Sequence, residues 1–541
     1  MTVSRSTTTA QEWISHDPDP KTAAELLECD DEELERRFSA PLTFGTAGLR
    51  GPLRAGPSGM NLAVVLRATW AVAKVLKDRG LDGQDVVVGR DARHGSDEFA
   101  LAAAEVLAAQ GFPVTLFFTA VPTPVVAFAV RSIPAAAGIQ ITASHNPPSD
   151  NGFKVYFGGG LPIVSPTDRE IEQAMADAPP ADEIPRHPVQ PAGVGEIQRY
   201  VERAATVRHS HGAVRVAMTP LHGVGGEFAL DALVRAGFTD VHVVEDQFAP
   251  NPDFPTVESP NPEDPAAVEA VLKLAADVDA EVAIALDPDA DRCAVGIPTP
   301  DGWRMLTGDE TGWLLGDYIL SQLEPGPVTE ATVVASSLVS SRMLAAIAAE
   351  HGARHVETPT GFKWLVRADE DLPGCTLVYA YEEAIGHCVD PSAVRDKDAI
   401  SAAVLVCDLI AALRDRGHTL VDALDDLARR HGVHDTAVVS RTVDYAHEAG
   451  AVMARLRETP PDTLAGYQVT ATDLSEKGTD AVVLSGSGDG VSVRVVVRPS
   501  GTEPKVKSYI EVHCADVTDL DAARTRAREL RTELADVAAR W

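Results

Sequence analysis

Val86-Val87-Val88-Gly89-Arg90-Asp91 is a β-branched run ending in polar residues, and after it come an amphipathic stretch from Phe99 to Gln110, then Gly111, then Val114-Thr115-Leu116-Phe117. The first run reads as a buried strand, the stretch as a helix closed by glycine, and the last tetrapeptide as a second strand, which together make a βαβ unit. The order returns twice. Val214-Arg215-Val216-Ala217 leads through a helix near Leu230 to Gly237 and Val241-His242-Val243-Val244. Thr332-Val333-Val334-Ala335 leads through Met343 to Glu350, then to Gly352 and His355-Val356. Each copy continues through a loop and a second helix into a third apolar strand, and each third strand runs into an unusual polar loop. These are Gly138-Ile139-Gln140-Ile141 into Thr142-Ala143-Ser144-His145-Asn146-Pro147, Val282-Ala283-Ile284-Ala285-Leu286 into Asp287-Pro288-Asp289-Ala290-Asp291-Arg292, and Thr376-Leu377-Val378-Tyr379 into Glu382-Glu383-Ala384-Ile385-Gly386-His387. Ligands gather at the carboxyl ends of strands in open α/β sheets. Three equivalent placements therefore predict three related α/β domains, with mixed sheets, whose loops face one central cleft.

From about Thr442 the pattern changes to a helix (His447 to Arg457), the strands Val491 to Val497 and Ser508 to Val512, and a final helix near Leu520 to Ala539. Alternating strands around a turn predict a small C-terminal α+β domain with an antiparallel sheet. The acidic first 40 residues, with Leu26, Leu27 and Leu34, read as helices packed on the first domain. The expected organisation is an extension at 1–40 and domains at 41–208, 209–325, 326–440 and 441–541, a division whose size per domain suits a chain of 541 residues.

Composition excludes several classes. The 47 basic against 80 acidic residues give a net charge of −33, which repels polyanions and argues against nucleic-acid binding. No apolar run is long enough to span a bilayer. Six scattered cysteines form no C-x-x-C pair and indicate neither a zinc site nor a disulfide framework. With no apolar secretory core at the N-terminus, the expected compartment is the cytoplasm.

Asp287, Asp289 and Asp291 alternate, so in an extended loop all three can face one hard cation such as Mg²⁺. A calcium EF-hand needs Gly and Glu where Arg292 and Pro298 stand. A capping or solvated Asp cluster is the plainer alternative. Ser144 sits among turn-forming residues that let its hydroxyl stand clear, though a Ser-His pair in a loop also reads as a simple turn. No G-x-S-x-G elbow surrounds it, so an α/β-hydrolase is not indicated. A phosphorylated Ser144 would need a cation and an acid/base; Lys154, in Asn151-Gly152-Phe153-Lys154, is a candidate for the second, or an ordinary surface lysine. Arg498-Pro499-Ser500-Gly501-Thr502-Glu503-Pro504-Lys505 offers a guanidinium, hydroxyls and glycine-exposed amides, a cradle for a held phosphate or a tight turn. Lys505 and Lys507 favour the anion in so acidic a chain. Glu382 and Glu383 could accept hydrogen bonds from sugar hydroxyls, and His387 could titrate near neutral pH.

Together, in this order, the four loops resemble those of the α-D-phosphohexomutases, the phosphoglucomutase and phosphomannomutase family, and the likeness runs from about Thr43 onward. The resemblance implies phosphoserine at Ser144, Mg²⁺ on Asp287, Asp289 and Asp291 together with the Ser144 group, sugar reading by Glu383, and substrate-phosphate binding by Arg498, Ser500, Gly501 and Thr502. It adds Arg292, Lys363 and Lys507 to the substrate-binding set. Phe44-Gly45-Thr46-Ala47-Gly48-Leu49-Arg50-Gly51 is similar to the family's N-terminal active-site segment and nominates Arg50, while Lys154 and His387 fall on the acid/base positions. Glu-Glu-Ala-Ile-Gly replaces the Gly-Glu-Met-Ser-Gly of many dual-specificity members. With Thr360-Gly361-Phe362-Lys363-Trp364, it is closer to long bacterial phosphoglucomutases and phosphopentomutase-like enzymes.

The implied activity interconverts sugar 1-phosphate and sugar 6-phosphate, glucose foremost, through a sugar 1,6-bisphosphate that also serves as activator. Mannose or pentose specificity is the alternative, with a serine-dependent sugar phosphatase and a non-enzymatic sensor further off. The expected partner is a small phosphosugar, with no nucleic acid and no membrane, and the expected assembly a monomer or homodimer.

Overall fold

The computed structural model describes residues 5–45, 48–323, 331–443, 446–500 and 505–541. They divide by internal packing into two compact units, residues 1–306 with 384–412 and residues 307–383 with 413–541.

The first unit holds two sheets of the same plan. In one, Val86–Arg90 lies between Val114–Leu116 and Ala137–Ile141, parallel to both, and Ala137–Ile141 then pairs antiparallel with Asp150–Phe157. In the other, Arg215–Thr219 lies between Asp240–Val243 and Val282–Leu286, parallel to both, and Val282–Leu286 pairs antiparallel with Cys293–Thr299. Both sheets are mixed, as the sequence predicts. Helices on each side explain the near-continuous apolar strands: Val86, Val87 and Val88 have no exposed surface, a burial that contributes about 1.5–3 kcal/mol for each side chain. The helix Ser96–Ala109 packs Phe99, Ala103 and Leu107 into the same core.

The second unit contains the third repeat, with Thr332–Ser337 between Arg354–Thr358 and Thr376–Glu382, all parallel. Its second helix shrinks to Phe362–Leu365. Gly111, Gly237 and Gly352, after the first helix of each repeat, all have φ between +75° and +91°, a left-handed stop that an L side chain would strain. The C-terminal sheet is antiparallel throughout, running Val433–Thr442, Lys505–Cys514, Val491–Pro499, Val482–Gly488, Tyr467–Asp473 and Thr463–Leu464. Its apolar face is covered by Val452, Met453 and Leu456 of the helix Ala446–Glu458 and by Leu530 and Leu534 of Leu520–Ala538.

The N-terminal extension forms the helices Arg5–Ser15, Pro20–Glu28 and Asp31–Ser39. Leu26 is buried and Leu34 half-buried, but Leu27 is 72% exposed, so one helix face carries the contact. Residues 384–412, which the repeat pattern places with the third domain, pack within the first unit. There Asp408 of the helix Ala399–Arg414 accepts hydrogen bonds from the amides of His209 (2.9 Å) and Ser210 (2.7 Å).

Candidate active site

The polar loop after each third strand carries one non-glycine residue in the left-handed region: Ser144 (φ 53°), Ala290 (φ 51°) and Ile385 (φ 54°). Such strain persists where surrounding structure over-determines it, and it clusters at functional sites. Around Ser144 the over-determination is visible. Its amide donates to Thr142 Oγ1 (2.9 Å) and its carbonyl accepts from the guanidinium of Arg93 (2.6 Å). Its Oγ donates to Asp287 Oδ2 at 2.9 Å and lies 3.2 Å from His145 Nδ1.

The aspartate loop is a tight turn and not the extended segment that alternation suggests. The Ala290 amide closes onto the Asp287 carbonyl (2.9 Å), and Asp287 Oδ1 accepts the amides of Asp291 and Arg292, both at 3.0 Å. The turn brings one oxygen of each carboxylate within 4.8 Å of the others. Asp289 Oδ1 and Asp291 Oδ1 are buried with no hydrogen-bond partner among the described residues. Unpartnered buried carboxylate oxygens are costly unless a cation meets them, and an oxygen-only donor set suits Mg²⁺ better than zinc. The residues therefore fit such an ion. The turn is seated by Gly223, where a Cβ would meet Pro288 Cα at 2.3 Å.

Lys154 reaches this turn from the strand Asp150–Phe157, its Nζ donating to Asp289 Oδ2 (2.6 Å) and Asp291 Oδ2 (2.8 Å). It is no surface lysine, being 6% exposed. Thr123 Oγ1 donates to the same Asp289 oxygen at 2.5 Å, and Lys397 Nζ stands 3.4 Å from Asp291 Oδ2. Burial raises the Asp287 carboxyl well above the usual range, reinforced by Asp289 and Asp291. Burial also pushes Asp289 and Asp291 upward, but Lys154 leaves both below their ordinary value. The Arg50 guanidinium is buried, and the loss of solvent outweighs the pull of Asp289 and Asp291 and lowers its pKa. Arg292 pairs with Glu263 at 3.3 Å. His387 does not titrate near neutrality: burial pushes it down to about 3, leaving a neutral imidazole. His145 is likewise held well below its usual value by burial and then by Arg292 and Arg50.

Ser144, Lys154, Arg50, Asp287, Asp289, Asp291, Arg292 and His387 all belong to the first unit. The second unit holds Glu383, Lys363, Arg498, Ser500 and Lys507; Gly501 and Thr502 lie outside the described residues. Glu383 Oε2 accepts from Ser337 Oγ (2.9 Å) and Ser340 Oγ (3.0 Å), and its carboxyl is raised to about 7 by burial, Glu382 and Asp309. Lys363 Nζ lies 5.9 Å from the centre of the Trp364 ring. Arg498 and Lys507 are directly opposed across neighbouring strands. Like charges so placed repel unless an anion sits between them.

Sequence reasoning missed Arg93, Thr123, Lys397, Ser337 and Ser340. The available signals were faint: Ser336-Ser337-Leu338-Val339-Ser340-Ser341 is a serine-rich strand end, and Arg90-Asp91-Ala92-Arg93 a charged one.

Comparison with known proteins matches four successive models described as phosphoglucomutase/phosphomannomutase: α/β/α domain I at 41–181, domain II at 198–300, domain III at 307–431 and the C-terminal domain at 465–527. A probable phosphomannomutase of Haemophilus influenzae is 38% identical, over 86% of this chain and 95% of its own. A phosphopentomutase of Mus musculus is 33% identical over 94% and 90%, and a phosphoglucomutase of Staphylococcus haemolyticus 31% over 88% and 92%. Among solved structures, a phosphoglucomutase/phosphomannomutase family protein from Burkholderia thailandensis superposes with a TM-score of 0.67. That likeness spans 90% of this chain and 96% of the other at 22% identity, and bears on the fold.

Proposed function

Because this chain belongs to the phosphoglucomutase/phosphomannomutase family and is an enzyme of the mutase type, we propose that it interconverts sugar 1-phosphates and sugar 6-phosphates, glucose foremost, through phosphoserine at Ser144. The observation that carries the reading is the buried Ser144 hydroxyl, donating at 2.9 Å into a carboxylate cluster with two unpartnered oxygens. A free sugar hydroxyl loses its proton and attacks phosphorus; the bond from phosphorus to Ser144 Oγ breaks, and the departing oxygen takes up a proton. The product is a sugar 1,6-bisphosphate, which reverses its orientation and returns its other phosphoryl group to Ser144. Lys154 is the first nominee for these proton transfers; His387, kept a neutral imidazole by its burial, is the weaker one. Asp287, Asp289, Asp291 and the Ser144 group would hold Mg²⁺, which when bound would neutralise charge on the phosphoryl oxygens.

The substrate's own phosphate falls to Arg498, Ser500 and Lys507 with Gly501 and Thr502. The opposed Arg498 and Lys507 charges support that role. Sugar hydroxyls fall to Glu383, with Lys363 and Arg292 completing the substrate-binding set, while Arg50 joins Ser144, Lys154 and His387 as a catalytic residue. The six cysteines are all free, in keeping with a reducing cytoplasm, and no described helix is long and apolar enough to cross a membrane. The enzyme is taken to act as a monomer or homodimer.

A coupled assay with Mg²⁺ and a trace of bisphosphate, run on glucose 1-phosphate, mannose 1-phosphate and ribose 1-phosphate, tests the reading. Glucose is expected to have the highest kcat/KM. A higher value for mannose or ribose reassigns the sugar, and inorganic phosphate released faster than isomer replaces mutase by phosphatase.

A further inference from the structure

Arg93 is 4% exposed and belongs to none of the groups assigned above. Its guanidinium is a fork spent almost wholly on one loop. Nη2 donates to the carbonyls of Ser144 (2.6 Å) and Asn146 (2.6 Å), and Nη1 to those of Pro147 (2.7 Å) and Asp150 (3.2 Å). The fork is itself held on two sides, by a carboxylate and a ring. Asp91 Oδ2 stands 3.4 Å from its Nε, and Asp91 Oδ1 is occupied by the Arg93 amide (2.9 Å) and Ser96 Oγ (2.6 Å). The ring of Phe254, 2% exposed and held at φ 45°, lies under the guanidinium with 5.0 Å to its centre. Asp91, Arg93, Phe254 and Pro288 of the aspartate turn line one seam of about 10 Å³, room for no more than one water. One buried cation thus braces the serine loop against the segment that seats the aspartate turn.

We propose that Arg93 is the positioning residue that sets the register of Ser144 Oγ to the aspartate turn, with Phe254 as its backstop. This rests on the phosphoserine reading. The left-handed Ser144 has no conformational reason to stay where it is; four carbonyls tied to one planar, permanently charged group supply that reason. Arg93 meets Ser144 at its carbonyl and not at the reacting Oγ, so its loss changes the alignment of phosphoryl transfer and leaves substrate capture, which is assigned to other residues, in place. Lysine cannot replace it, because a single ammonium cannot serve four acceptors in the geometry of a fork.

The test compares wild type, Arg93→Lys, Phe254→Leu and Ser144→Ala by steady-state kinetics with glucose 1-phosphate. It adds the single-turnover rate of Ser144 phosphorylation by glucose 1,6-bisphosphate and thermal unfolding. Arg93→Lys is expected to lower kcat and the phosphorylation rate by roughly ten- to a hundredfold, with KM within about threefold of wild type. Phe254→Leu keeps every hydrogen bond and should lose less, on the order of threefold to tenfold, again in kcat. Wild-type kcat in folded Arg93→Lys overturns the proposal, as does a loss that appears in KM alone. If Arg93→Lys does not fold, Phe254→Leu decides by the same split. Should Ser144→Ala turn over normally, it is the phosphoserine reading that has failed; an inactive Ser144→Ala beside an unaffected Arg93→Lys sinks this inference alone.

Discussion

Ser144 and Glu383 sit in corresponding loops of two repeats but face opposite electrostatic problems. Ser144 is a neutral hydroxyl delivered to carboxylates, so its replacement leaves the fold's charge intact and removes only the group that carries phosphoryl. Ser144→Ala is expected to fold like wild type, to accept no phosphoryl group from glucose 1,6-bisphosphate, and to lose about a thousandfold or more in kcat, read by intact mass and the coupled assay. Glu383 is a carboxyl raised from 4.5 to about 7 by burial, Glu382 and Asp309. A carboxyl whose pKa rises on folding contributes stability that is full below pH 4.5 and lost as pH climbs through 7. The shift bounds that loss at about 3 kcal/mol, less whatever solvent the side chain keeps. Glu383→Gln should therefore melt higher than wild type at pH 8 and gain little at pH 4.5, with Tm followed across that range. A parallel pair of Tm curves would remove Glu383 as the titrating group.

At the level of elements, the same construction recurs: a strand delivers a polar loop, and a close backbone approach locks it. Gly223 is the clearest lock, since any side chain there would collide with the backbone of Pro288 at 2.3 Å. Gly223→Ala should displace the aspartate turn, cost roughly 2 kcal/mol or more of stability, and raise the Mg²⁺ concentration for half-maximal turnover about tenfold. Melting curves and a Mg²⁺ titration check the two effects separately. The helix Thr123–Ser132 acts similarly, its first residue donating both its amide (2.9 Å) and its hydroxyl to Asp289.

For the whole molecule, a net charge of −33 sets the background against which every anion site must work. Basic groups stand at the candidate loops: Arg50, Lys154, Arg292 and Lys397 in the first unit, Arg498, Lys505 and Lys507 in the second. Chelation should reduce turnover by about a hundredfold or more and Mg²⁺ should restore it. Hydrogen exchange should locate the effect: Mg²⁺ slows exchange at 140–155 and 282–293, whereas inorganic phosphate slows it near 498 and 507. Protection by Mg²⁺ confined to the trio of half-buried Asp317 and His351 with exposed Glu350 would move the metal site there.

Much of this was legible in one dimension because strands buried on both faces must be apolar and glycine must close their helices. Val86-Val87-Val88 with Gly111, and its two echoes, determined the repeated α/β plan. The loops at Ser144, Asp287, Glu383 and Arg498 determined the chemistry on offer. What the tertiary structure alone decided is how those groups behave. Alternation suggested an extended aspartate segment, yet a turn seated on Gly223 converges the carboxylates. His387 promised a neutral-pH titration, yet burial holds it near 3. Arg93 was one more charge after a strand until its carbonyl partners, 51 to 57 residues away, closed around it. Desolvation and long-range hydrogen bonding depend on neighbours distant in the chain, and those neighbours exist only once the chain has folded.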